Sequence, residues 1–222
     1  MTTRFMAGRC LIGLILTVLL IPGVRASATF DRELLDLQHE WATIKYQTPQ
    51  QQREQAFTEL SKKAEQFRVH YPDRAEPKVW EAIILSTYAG ELRGFSKMKA
   101  LGYVKRARDL LLAAEQIDAN TLDGSIYTTL GSLYYQVPGW PIGFGNDRQA
   151  REYLEQALHI NPDGMDPNYF YADFLAKQKD YRDAMTALEK ALQAPALPNR
   201  PVADQGRRME ISSKMEEIKK HL

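Results

Sequence analysis

One spacing constrains this chain more than any other. Ala150, Leu154 and Ala157 recur 34 residues later as Ala184, Leu188 and Ala191, and Ala107, Leu111 and Ala114 precede them by 43. Neighbouring apolar positions keep the same register: Leu158 recurs as Leu192, and Ile117 as Ile160. Ala56 with Leu60 is a weaker, earlier copy. Steps of four and three place alanine, leucine and alanine on one stripe of an α-helix, with small residues where another helix must come close. A period of this length describes a stack of like units, each burying its apolar face on its neighbours. No segment shows the alternation of a half-buried strand, so the expected class is all-α.

The same pattern predicts helices over 31–47, 51–69, 76–90, 96–117, 124–136, 147–160, 167–178, 181–194 and 201–220. Pro49, Pro72, Pro77, Pro138, Pro162, Pro167, Pro195 and Pro198 then fall at helix ends or in loops, where proline is tolerated. Tyr127-x2-Leu130-Gly131-x2-Tyr134 forms one helix of a pair, and Ala150, Leu154, Ala157 and Pro162 form the other. A second copy reads Tyr171, Ala172, Leu175, Tyr181, Ala184, Leu188, Ala191 and Pro195, while Trp80, Ile83 and Ile84 mark a degenerate earlier first helix. These residues resemble the tetratricopeptide repeat (TPR) family, whose unit is two antiparallel helices. The resemblance implies a TPR-like right-handed helical solenoid of about four helix pairs plus a C-terminal capping helix. Its best-defined repeats span 76–195, and its cap spans 199–222. The cap, with Arg207, Arg208, Glu210, Lys214, Glu216, Glu217, Lys219 and Lys220, is polar enough to leave its outer face in water.

Departures from the ideal unit are the places to look for function. Ala150 lies sixteen residues after Tyr134, seven more than the family pattern allows. The inserted Val137–Gly145 has no charge, two prolines, three glycines, Trp140 and Phe144. Two readings stand side by side. Trp140 packs as a core residue, since large apolar side chains are buried by default. Alternatively, the loop holds an aromatic lid over a groove that receives a peptide or small ligand. Ten aromatics crowd residues 127–174, and from them the expected contact cluster is Tyr134, Tyr135, Trp140, Phe144, Tyr169 and Tyr171. Arg93 and Lys97 are expected at its edge, within a stretch from Arg93 to Arg108 that holds six bases and no acid. That stretch reads as a solvated helix face or as attraction to an anionic partner. Arg200, Asp204 and Arg207 share a helix face, where an ion pair would dock the cap on the last repeat. The sharper alternative there is a ligand carboxylate held by Arg200 or Arg207.

The N-terminus reads as an address. Arg4 and Arg9 precede an apolar run of 15 residues from Cys10 to Val24, interrupted by Pro22-Gly23 and followed by Ala26-Ser27-Ala28. These are the parts of a secretory signal peptide, and the run is short of the roughly 20 residues a spanning helix needs. The expected organisation is therefore a signal over 1–28 and a helical domain over 29–222, periplasmic or secreted after cleavage near Ala28. Membrane contact is expected only through an uncleaved signal. Cys10 precedes the apolar run, so it does not read as a lipidation site. Cleavage would remove three arginines and the chain's one cysteine, turning a net charge of +1 slightly acidic.

No catalytic constellation emerges. His39, His70, His159 and His221 are scattered without metal-ligand spacing, and Gly143-Phe-Gly145 lacks the preceding strand of a dinucleotide site. Asp163 and Asp166 read as helix-start residues beside Pro162 and Pro167. The near-neutral charge gives no footprint for nucleic acid. The expectation is a non-enzymatic binding protein without cofactor or metal, whose concave groove and 137–145 loop meet a protein or peptide partner in the cell envelope. Size, export and irregular repeats also resemble the periplasmic T component of TRAP-type solute transporters. That resemblance implies contact with a substrate-binding protein, or a small hydrophobic ligand.

Overall fold

The alanine–leucine–alanine stripes become helix-to-helix seams. All nine of their residues, Ala107, Leu111, Ala114, Ala150, Leu154, Ala157, Ala184, Leu188 and Ala191, are fully buried. The computed structural model describes residues 22–222, with side chains from Ser27 onward except that of Lys97. The expected signal segment lies mostly outside these residues, as does Cys10.

The chain forms α1 (Pro22–Tyr46), α2 (Gln50–His70), α3 (Glu76–Glu91), α4 (Ala100–Glu115), α5 (Ser125–Gln136), α6 (Asp147–Ile160), α7 (Met165–Lys177), α8 (Tyr181–Gln193) and α9 (Pro201–Ile218). A 3-10 segment, Gly94–Lys99, enters α4, and another, Lys219–His221, ends α9. There is no strand among the described residues. α3 packs chiefly on α4, α5 on α6, and α7 on α8, so helices pair in chain order and the pairs stack. α1 and α2 make the first pair, where the weak Ala56–Leu60 copy is replaced by a stripe of Phe57, Leu60, Ala64 and Phe67. Aromatics substitute there for the small residues of the later units. Phe30 stacks on Phe67 with ring centres 5.3 Å apart, and Trp41 meets Trp80 edge-on at 5.8 Å.

α1 begins at Pro22, so the expected cut after Ala28 falls within its first two turns. α9 leaves its outer face in water as expected, and in addition it packs on α1 as well as on α7 and α8, joining the last unit to the first. Gly206 makes this closure possible. It lies against the flat of the Tyr46 ring, and a Cβ there would overlap the ring atoms. Arg207, Arg208, Glu210 and Lys214 are latching groups on the inward side, while Gln205, Ser212, Glu216 and Lys220 keep the outer face in water.

The 137–145 loop also differs from one of its two readings. Its backbone closes on itself, with Gly145 N–H donating to the Pro138 carbonyl at 3.0 Å and Asn146 N–H to the Tyr134 carbonyl at 2.8 Å. Asn146 then caps α6 by accepting from the Gln149 N–H. Phe144 turns inward, edge-on to Tyr134 at 5.2 Å and beneath the Arg108 guanidinium at 4.7 Å. With the inward place filled by Phe144, Trp140 is left in water and 90% exposed. The reading of Trp140 as a core residue is wrong, and its physical reason is that one aromatic suffices to seat so short a loop.

Candidate functional site

The first helices of the pairs line a concave groove, and α9 closes one side of it. A cavity of about 370 Å³ lies there, bordered by residues of α1, α3, α5, α7 and α9 and by Leu197 and Arg200 of the preceding turn. The walls are aromatic: Trp41 and Trp80 on one side, Tyr169 and Phe170 on the other. The floor, from α5, is hydroxylic. Ser125, Thr128, Thr129 and Ser132 form a stripe beside the buried Tyr127, Leu130 and Gly131 and the half-buried Tyr134 that hold α5 to α6. The hydroxyls of Thr128 and Thr129 donate to carbonyls one turn back, at 3.1 and 2.8 Å, so their hydrogens are used and only acceptor capacity remains.

Charge is concentrated at the α9 side. Arg207 donates to Asp166 of α7 at 2.7 Å and to Glu210 at 2.6 Å. Lys45 of α1 reaches Glu210 at 3.0 Å, and the Tyr46 hydroxyl donates to the same carboxylate at 3.1 Å. The guanidinium of Arg207 also lies over Tyr169 and Phe170, 4.5 and 4.8 Å from their centres. Burial would discharge Asp166, but Arg207, then Arg200 and Lys45, outweigh it and hold the carboxyl below its usual range. About half of the Asp166 side chain (51%) stays open, and it opens onto the cavity. Lys45 is lowered as well, which here disfavours its charged form. Burial, followed by repulsion from Arg207, lowers it to about 8 against the pull of Glu210. Burial raises Tyr169 to about 12 and pushes Tyr46 up further, so both stay protonated hydroxyls.

Two positive and two negative groups in this network neutralise one another. Arg200 stands apart. Its guanidinium is 5.9 Å from the Trp80 ring centre, and no carboxylate bridges to it among the described residues. The sequence placed Arg200, Asp204 and Arg207 on one face. Arg207 does dock the cap on the last repeat, but through Asp166 rather than Asp204, which instead holds Arg208 at 2.9 Å. Asp166 is thus more than a helix-start residue. Asp163 pairs with Lys190 at 3.3 Å.

The expected aromatic cluster is not one cluster. Tyr169 lines the cavity. Tyr135 is buried between α5 and α7, its hydroxyl donating to Asp173 at 2.6 Å, and Tyr171 faces the outer side near Pro162 and Leu175. Tyr134, Phe144 and Trp140 sit at the edge where α5 turns toward α6, and no residue of 137–145 borders the cavity. Arg93 is exposed beyond α3, its guanidinium donating to the carbonyls of Gly90 and Leu92. The side chain of Lys97 is not among those described. Sequence reasoning missed Trp41, Lys45, Thr129, Ser132 and Phe170. Their signal is the position next to a buried motif residue on a first helix, which turns one step toward the groove.

Residues 144–199 match the tetratricopeptide repeat model, a span that runs from the end of the inserted loop through the fourth pair to the turn before α9. The fold is similar to that of a crystallised thermophilic TPR protein of Thermus thermophilus. The likeness covers 88% of this chain and 93% of that one, with a TM-score of 0.54 at 14% identity. The fold is a TPR solenoid. No curated protein matches the chain by sequence. TPR units generally mediate protein–protein interaction.

Proposed function

We propose that the protein is a cell-envelope scaffold whose groove receives a short segment of a partner protein, one that carries an apolar side chain and a nearby carboxylate. The observation that carries this reading is the pairing state of the groove. Lys45, Asp166, Arg207 and Glu210 satisfy one another, while Arg200, which acts on Asp166 only at longer range, has no bridging carboxylate among the described residues and faces an aromatic wall. A carboxylate from a partner would complete Arg200 with a forked, charge-assisted contact. An adjacent apolar side chain would enter between the Trp41–Trp80 and Tyr169–Phe170 walls. The basic head, short apolar run and Ala26-Ser27-Ala28 ending support an exported protein.

Panning a displayed random-peptide library against the protein tests this. Recovered peptides should share an apolar residue beside Asp or Glu. Arg200→Ala should weaken them about tenfold, and Ser132→Phe, which puts a ring into the cavity from an unpacked floor position, should abolish binding. Peptides that ignore both substitutions would sink the groove reading. Binding should also depend on pH with a definite sign. As pH rises through about 8, Lys45 loses its charge and the groove becomes more negative. Affinity for acidic peptides should therefore fall between neutral pH and pH ~9, and Lys45→Met should flatten that fall.

The closure by α9 supports one other occupant. A cavity of about 370 Å³ is within the range of small-molecule sites. A small hydrophobic ligand, as an accessory subunit of a solute transporter would carry, should appear as a discrete added mass in native mass spectrometry of the gently purified protein. The same measurement reports whether the mature chain starts after Ala28.

A further inference from the structure

The two longest departures from the repeat, the α3–α4 and α5–α6 connections, meet at one edge of the solenoid. A Cβ on Gly143 would lie 3.5 Å from Leu101 Cδ1, at the start of α4 and directly after the 3-10 segment Gly94–Lys99. Arg108, two turns further along α4, covers Phe144. Leu101, Lys105 and Arg108 are spaced to share one helix face, so Lys105 lies between two points that touch the loop.

From this edge project the most exposed large apolar side chains of the described molecule: Phe95 at 94%, Trp140 at 90%, Met98 at 83% and Ile142 at 66%. None borders a cavity. They are tips on two short protrusions, and Gly145, Pro138 and the inward Phe144 hold one of those protrusions rigid. Around them stand Arg93, Lys99 and Lys105, all exposed, with Lys99 and Lys105 free of ion pairs among the described residues. The nearby acids are occupied: Glu91 by Gln50 and Arg53, Asp109 by Arg108, and Asp147 by Gln178.

We propose that this edge docks on an anionic lipid surface, inserting Phe95, Met98, Trp140 and Ile142 at the headgroup boundary while Arg93, Lys99 and Lys105 meet the lipid charges. Convexity decides for a bilayer over a peptide. Protein hot spots seat in complementary pockets with a surrounding rim. Separate apolar tips ringed by bases match the composition of interfacial anchors, in which tryptophan and basic residues lie at headgroup level. The edge lies opposite the start of α1, whose Phe30 packs on Phe67 and Tyr71 at the far end of α2, so it is a contact separate from the N-terminal segment.

The chain has three tryptophans, and Trp41 and Trp80 are buried, so an exposed-tryptophan signal reports Trp140 alone. The full-length protein is mixed with phosphatidylcholine vesicles containing one third phosphatidylglycerol and with vesicles of phosphatidylcholine alone. In both, part of the phosphatidylcholine is brominated on its chains. The expected result is a blue shift and bromine quenching of Trp140 on the anionic vesicles, weakened by salt. Phe95→Ala should weaken partitioning about tenfold, and Lys99→Glu with Lys105→Glu by at least about twentyfold. These side chains are exposed, so unchanged thermal unfolding confirms that the variants fold. Vesicle binding through another part of the chain, with Trp140 unquenched, would overturn the proposal. So would equal insertion into neutral vesicles, or burial of Trp140 in a dimer that ignores lipid, which would assign the edge to a second copy.

Discussion

Arg207→Ala is expected to cost about 1.5–3 kcal/mol of folding stability and to loosen α9 from α7. Arg207 is buried, and it joins carboxylates of two elements, Asp166 of α7 and Glu210 of α9, while covering two aromatic rings. Its removal leaves Lys45 as the one direct cationic partner of Glu210 and leaves Asp166 without an ion-pair partner. Glu210 keeps Lys45 and Asp166 is half open to the cavity, so the loss is of two charge-assisted hydrogen bonds and of the guanidinium's packing, which still sets this site apart from exposed pairs such as Lys62–Glu59, worth at most about 1 kcal/mol. Urea unfolding should show the loss, and hydrogen exchange should place the lost protection in α9 and the first turns of α7. The pH dependence gives a check on the cause. Asp166 is held below its ordinary value of 3.8 in the folded protein, so its contribution is present above that pH and disappears as pH falls through the lower folded value. In Arg207→Ala the carboxyl loses that support and protonates sooner. The stability gap between the two proteins should therefore narrow below pH ~4. A gap of constant size would mean that Arg207 acts through packing alone.

The stacking of the solenoid was legible because it depends on residues that repeat. Alanine, leucine and alanine at fixed steps specify a seam whatever else the helix carries, and each of the three later second helices buries that stripe completely. The closure was not legible, because it rests on single residues with no counterpart in other units. Gly206 matters only because Tyr46 lies across from it, 160 residues away in sequence. Arg207 reads equally well as a solvated arginine until Asp166 and Glu210 are brought to it. The candidate groove was half legible. Its location on first helices follows from the repeat, but its lining comes from Thr129, Ser132 and Trp41, ordinary residues that composition does not single out. Loop 137–145 shows another limit. Pattern identified an aromatic loop with its own rigidity, yet nothing in Trp140-Pro-Ile-Gly-Phe144 states which ring turns inward. The answer lies in the surfaces of Tyr134 and Arg108, which accept Phe144.

Gly131 offers the sharpest test of how the repeat packs. Replacing a helix-interior glycine with alanine ordinarily gains about 1 kcal/mol, and Gly102→Ala, with open space around its added carbon, should gain close to that. Gly131→Ala should instead lose about 1–3 kcal/mol. Its Cβ would lie 2.5 Å from Leu154 Cγ, 2.9 Å from Cδ2 and 3.2 Å from the Ala150 carbonyl oxygen. Leu154 is fully buried and shares its seam with Ala150 and Phe174, so it cannot turn aside cheaply. Leu154→Ala alone should cost about 2–5 kcal/mol through the cavity it leaves. In that background the clash with the side chain is gone and the added methyl keeps only the Ala150 carbonyl oxygen at 3.2 Å, which a shift of a few tenths of an ångström relieves, so Gly131→Ala should become stabilising. The double variant would then be more stable than Leu154→Ala, a reversal of sign that only direct contact between the two positions produces. Chemical denaturation of the four proteins measures it. If Gly131→Ala destabilises both backgrounds equally, the close approach of α5 to α6 at this glycine is not what sets its cost.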